Sequence, residues 1–295
     1  MPSDPRTPDL QDLGPSHPGP SGPRTFAPSH LRTFAPSNLY DVAVPGVAYS
    51  DPAVLAFIII PSFLAAVFVL AVWVAWKRWT PERAPRAAGL ALVMTAAWMA
   101  VTWQAAASGT LRQWGALPPP FALLVVTILL LAMRLGWGPV GQRLAATFPL
   151  WSLVAIQGFR LPLELSMHRM YERGIMPVQM SYSGLNYDIL TGILALVVAA
   201  LVYTGRAGHR LVRLWNVIGL LLLINVVTVA ILGTPKIRYF GDAHLNTWVT
   251  YTPFVWLPAM MVLAALAGHL IVFRALLTRG PGVRTRGPGL QPRLS

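Results

Sequence analysis

The stretch VLAFIIIPSFLAAVFVLAVWVAW, residues 54–76, contains no charged side chain and no alternation of apolar with polar positions. Its length meets the ~20 apolar residues that a helix needs to cross a bilayer. A membrane-barrel strand would be shorter and would alternate. Pro61 within it predicts a kink, which a membrane helix tolerates. Further apolar runs follow at 87–107, 120–135, 144–161, 188–204, 211–232 and 252–273, giving seven with the one at 53–76. The predicted fold is therefore all-α, a polytopic bundle of seven transmembrane helices over residues 51–276. It is flanked by a Pro-rich N-terminal tail, 1–50, and a basic tail, 277–295.

Composition agrees with this reading. Of 295 residues 55% are hydrophobic and only 11% charged, where a soluble domain carries about a quarter. The formal charge of +13 raises nucleic acid as a partner, until its distribution is considered. With the N-terminus outside, fourteen of the 23 basic residues fall on inner loops and the inner tail, among them Lys77, Arg78, Arg83, Arg86, Arg206, Arg210 and Arg213. Nine of the ten acidic residues fall on the outer side, where the charges cancel. The whole excess on one face is the pattern of cytoplasmic loops. The C-terminus is predicted inside, and no nucleic-acid partner is expected.

Residues 1–50 hold ten of the 27 prolines and lack an apolar face, so no packed domain is expected there. They include a direct repeat, RTFAPSHL at 24–31 and RTFAPSNL at 32–39, read as duplication in an unconstrained tail or as a doubled binding peptide. The first helix is expected to act as its own insertion signal.

The chemistry-bearing stretch is QGFRLPLELSMHRMYERGIMPVQMSYSGLNYDILTG, residues 157–192. Helix 4 is expected to continue from 144 to a C-cap at Gly174. Along it Arg160, Glu164, His168 and Glu172 recur every four residues and share a face, so that Arg160 and Glu164 can pair directly. Pro162 disturbs the ladder between them. Across a short connection, Asn186 and Asp188 open the next helix, an antiparallel neighbour. Arg160, Glu164, Asn186 and Asp188 are thus the candidate binding residues, a polar pocket toward the outer end roofed by the 174–183 hairpin. The same groups read equally well as a charge-paired clamp between two helices. His269 is expected in an interhelical hydrogen bond, and His168 and His244 at the interface. Metal binding by His168 with Glu164 and Asp188 is a weaker alternative. The pairs Ala96/Ala100 and Ala264/Gly268 predict close helix approach, and Trp248, Tyr251, Phe254 and Trp256 an interfacial belt.

Absent features narrow the field. With no cysteine there is no thiolate nucleophile, Cys-ligated zinc, iron–sulfur cluster or disulfide. Neither lysine, Lys77 or Lys236, lies in a helix where a retinal Schiff base would form. No facing histidine pairs suit haem, no HxxxH suits a seven-helix zinc hydrolase, and no phosphate-binding glycine motif occurs. No cofactor is expected.

The texts FRLPLE at 159–164, GIMPVQMSYSGLNYDILTG at 174–192 and TPFVWLP at 252–258 resemble an uncharacterised family of bacterial seven-helix integral membrane proteins. The positions that carry the likeness are Arg160, Pro162, Glu164, Pro177, Asn186, Asp188, Pro253 and Pro258. The resemblance implies seven spans in the bacterial cytoplasmic membrane and transfers no activity, substrate or cofactor. The expectation is a protein that binds or translocates a small polar or lipid-like ligand, more a binder than an enzyme. The alternatives are a membrane-embedded hydrolase, with or without a metal, and an accessory or structural subunit.

Overall fold

The computed structural model describes residues 48–279, all within the contact unit Asn38–Ser295. The RTFAPS repeat, most of the Pro-rich tail and nearly all of the basic tail lie outside the described residues. Those described form helices and turns without a strand. Five helices, Pro52–Trp79, Pro81–Ala107, Pro120–Trp137, His209–Leu232 and Leu257–Thr278, are long and apolar enough to cross a membrane.

Helix α1, Pro52–Trp79, starts where the Asp51 carboxylate accepts from the Ala53 N–H at 2.9 Å, with proline in its first turn. Lys77 and Arg78 sit against its C-terminal carbonyls. Val54, Phe57, Ile60 and Leu64 are buried at helical spacing, yet Ile59, Phe63 and Leu70 on the other side are exposed and equally apolar. Helix α2, Ala84–Ala107, leans on α1 with most of its surface open, including Ala96 and Ala100. The close approach expected at that pair does not occur. What holds α2 instead is Trp98, whose indole donates to the Ala259 carbonyl at 2.9 Å, and Trp256, which donates to Met99 at 3.1 Å.

Helix α3, Pro120–Trp137, leads into α4, Pro139–Thr147. Here the structure departs from the single fourth helix expected from residue 144. The chain breaks at Phe148–Pro149 and turns by 120°. Proline forces the residue before it out of the helical region, and Phe148 is extended. The chain resumes as α5, Leu150–Ala155, tightens into a 3₁₀ turn at Ile156–Phe159, and continues as α6, Arg160–Glu172. The tight turn falls where Pro162 cannot supply the N–H that Gly158 would accept. Gly174, at φ 70°, ends α6 with bonds from its own N–H to Tyr171 and from Ile175 to Met170, a Schellman motif.

Helix α7, Ile189–Tyr203, has only 15 residues, about 22 Å at 1.5 Å per residue. Helix α8, His209–Leu232, returns antiparallel to it, and a π-helical turn at Leu257–Val262, carrying Pro258, opens α9, Leu263–Thr278. Helix α9 is the hub, with α3, α4, α5 and α8 packed around it. Arg274 and Arg279 near its end donate to carbonyls of Trp137 and Ala145, satisfying the last turns of α3 and α4.

The aromatic belt expected at 248–256 is only partly one. Trp248 and Phe254 are buried and meet Phe57 edge-on, with ring centroids 5.0–5.7 Å apart. They form core because residues 233–256 fold inward over α1.

Candidate functional site

Two apolar clusters make up the interior. One gathers Phe57, Leu163, Met167, Leu223, Met261 and Ala265, and the other gathers Leu150, Val154, Ala195, Trp215, Val272 and Ala275. Between the clusters, each of four successive segments places polar residues or glycine. They are Gln157 and Arg160 before and on α6, Asp188 and Thr191 at the start of α7, Asn216 and Gly219 on α8, and Gly268 and His269 on α9. A polar layer therefore crosses the bundle.

Arg160, Glu164, Asn186 and Asp188 come together at one side of this layer, 1%, 2%, 0% and 4% exposed. Arg160 donates from Nη1 to Asp188 Oδ1 at 2.7 Å. Asn186 donates from Nδ2 to Glu164 Oε2 at 2.8 Å and to the Met180 carbonyl at 2.9 Å, and its Oδ1 accepts from the Asp188 N–H at 3.0 Å. The direct Arg160–Glu164 pair expected from their spacing is replaced by these two cross-helix pairs. Gly192 explains the exchange. A Cβ on it would lie 2.6 Å from the Leu161 nitrogen and 3.2 Å from Arg160 Cβ, so α7 packs backbone-close on α6. That brings the start of α7 opposite the Arg160 side chain, and Asn186 fixes the turn through its amide.

His168 does not join Glu164 and Asp188. Its ring stacks on Tyr182, with centroids 4.2 Å apart, and its Nδ1 lies 2.8 Å from Ser181 Oγ. The Gly174 turn carries residues 181–183 back over α6, and the imidazole packs into that hairpin. Among the described residues no three His, Asp or Glu side chains are placed to hold a metal ion. His244 is exposed, and its carbonyl accepts from Gln179 at 2.7 Å.

The layer also holds Asn216 and Thr191, which the sequence reading passed over, and Asn216 makes the interhelical hydrogen bond expected of His269. Asn216 donates from Nδ2 to the His269 carbonyl at 3.1 Å, so its Oδ1, 2.8 Å from His269 Nδ1, faces an N–H. The tautomer is thereby set, and Nε2 is left with a lone pair and no partner. Thr191 and His269 meet across Gly219, where a Cβ would lie 2.7 Å from each. Gln157 crosses Gly268, which closes the approach expected for the Ala264/Gly268 pair. Asn216, one of two asparagines inside the apolar run 211–232, was the available signal for this second half.

A cavity of about 80 Å³ borders the cluster. Arg160, Glu164, Asp188 and Asn246 line one part of it. The rest is apolar, including Phe121 and Ile128 of α3, Leu223 and Val226 of α8, and Met261. Arg160 Nε and Nη2 and Asn246 Oδ1 are buried without hydrogen-bond partners.

No curated protein and no solved structure matches the chain. Residues 117–277 match the family described as a domain of unknown function (DUF8737). That range opens just before α3 and closes within α9, so it encloses every residue of the polar layer and leaves α1 and α2 outside. Matched over more than half its length, the chain belongs to this family.

Proposed function

We propose that the chain is a multi-pass protein of the bacterial cytoplasmic membrane that binds or passes a small polar or lipid-like ligand at the Arg160–Glu164–Asn186–Asp188 cluster. Five long apolar helices, the bent pair α4 with α5–α6, and the short α7 supply seven crossings, with the N-terminus outside and the C-terminus in the cytoplasm. Supporting the membrane assignment are large apolar side chains exposed on α1, α2, α3, α7 and α8, which water would not favour and hydrocarbon does. The basic residues of the inner loops support the orientation.

The observation that carries the ligand reading is an ion pair, a second carboxyl group and Asn246 lining a cavity that is apolar elsewhere. Charged groups inside a membrane bundle are costly and mark ligand or ion sites. An apolar pocket with a few convergent polar groups is the usual form of a small-molecule site. A clamp alone needs no cavity beside it. The test is an organic extract of purified protein, analysed by mass spectrometry and compared with Ile231→Trp, which adds bulk at the cavity wall. A compound retained by the native protein and lost from the variant supports the reading. Identical extracts from both would overturn it.

A further inference from the structure

Helices α3 and α8 both pack on α9 but barely touch each other. Leu129 of α3 and Ile231 of α8 line the cavity and are also exposed on the outside of the bundle. The cavity therefore has a lateral mouth between α3 and α8, on a face whose other residues, Val126, Leu130 and Ile224, are exposed and apolar. Its interior volume of about 80 Å³ compares with the roughly 150 Å³ that accommodates a benzene. It takes little more than a small head, and the chain must leave through the mouth.

The vacant polar atoms say what head fits. Arg160 commits Nη1 to Asp188, while Nε and Nη2, the parallel pair on the other edge of the guanidinium, have no partner. That edge is the fork that takes two oxygens of one carboxyl or phosphoryl group. Glu164 and Asp188, the other charged groups on the wall, each have one oxygen held, by Asn186 and by Arg160. Among the buried polar atoms of the lining residues, those without a partner are Arg160 Nε and Nη2, which need acceptors, and Asn246 Oδ1, which needs a donor. A head arriving as the acid, or as the anion with one proton, adds no charge to a cluster holding two carboxyl groups against one guanidinium.

Building on the ligand reading above, we propose that the occupant is a single-chain amphiphile with an oxyacid head. It enters sideways from the bilayer between α3 and α8, docks its head on the free edge of Arg160, and leaves its tail in the hydrocarbon.

The experiment uses the full chain in phosphatidylcholine nanodiscs and radiolabelled dodecanoate, with empty nanodiscs as background. Unlabelled dodecanoate and dodecyl phosphate should displace the label, and dodecanol and dodecyltrimethylammonium should be weaker by about tenfold or more, the scale of a charge-assisted fork. Acetate and inorganic phosphate, heads without tails, should displace little. Arg160→Lys, which keeps a charge for Asp188 and loses the fork, should erase the preference for oxyacid heads. Ile231→Trp should abolish retention, and Leu70→Trp on the exposed face of α1 should leave it intact. Equal displacement by dodecanol or the ammonium would overturn the oxyacid assignment and leave the cavity as a binding site. Displacement by acetate alone would overturn the amphiphile. Retention unaffected by Ile231→Trp, or no specific retention of any probe, would overturn the lateral site together with the reading on which it rests.

Discussion

Arg160 and Asp188, 28 residues apart, close a 2.7 Å ion pair in which both side chains are almost wholly withdrawn from solvent. Breaking such a pair from one side leaves an uncompensated buried charge, which costs about 3–5 kcal/mol. Asp188→Asn and Arg160→Gln should each lower the unfolding temperature in detergent strongly. The double variant, with two neutral amides of similar size, should be markedly less damaged than the sum of the single ones. Additive losses in a double-mutant cycle would show that the pair does not couple.

The position of Asp188 depends on Gly192. A methyl group there would press on the Leu161 backbone nitrogen, which cannot swing aside as a side-chain tip can. Gly192→Ala should therefore cost about 1–3 kcal/mol, the usual price of overpacking, and weaken the Arg160–Asp188 coupling. At Gly89 on α2, an added methyl group would meet nothing within 4 Å. Gly89→Ala should be neutral or slightly stabilising, through helix propensity. Equal thermal shifts for the two substitutions would contradict the close contact of α6 with α7.

The second half of the polar layer makes a smaller prediction. Asn216→Ala removes both bonds to His269 and leaves its Nδ1–H unpaired in the interior, while its carbonyl keeps the helical bond along α9. Stranded buried groups cost about 1–3 kcal/mol, although interhelical bonds in membrane bundles average only about 0.6 kcal/mol. A loss between these bounds is expected, with the ¹⁵N signals of the His269 ring shifting as the tautomer is released. An unchanged ring spectrum would mean that Asn216 does not set it.

Much of this was legible in the sequence for one reason: hydrocarbon leaves little freedom to composition. Long apolar runs announced the helices, and Arg160, Glu164 and Asp188 stood out because charge beside such runs is rare. The break at Phe148–Pro149 was hidden because it lies inside an apolar stretch, where hydropathy is blind to a backbone dihedral. The choice of Asp188 over Glu164 as the Arg160 partner was hidden as well. Spacing on one helix favours i,i+4 neighbours, whereas the actual partner is brought close by a glycine on another. Trp248 and Phe254 resemble a belt in sequence, and only the inward fold of 233–256 makes them core. Truncating Phe254 to Ala should cost about 3–5 kcal/mol as a buried aromatic, against little for exposed Leu90→Ala.

The proposed topology turns on α7, whose length of about 22 Å falls short of a ~30 Å hydrocarbon core. Residues 174–188 fold down from the end of α6 to meet the start of α7, with Asn186 buried and donating to Glu164 and to the Met180 carbonyl. Irregular backbone at that depth is tolerated where protein encloses it, so a short α7 can still complete a crossing. The chain has no cysteine, which makes single substitutions directly readable with a membrane-impermeant maleimide. Leu117→Cys, Tyr187→Cys and Tyr239→Cys, at exposed positions, should label in intact cells. Glu82→Cys and Arg206→Cys should label only after permeabilisation. If Arg206→Cys reacts from outside while Glu82→Cys does not, α7 turns back without crossing. The spans then number six, and Arg206, Arg210 and Arg213 leave the cytoplasmic side, removing part of the charge asymmetry on which the orientation rests.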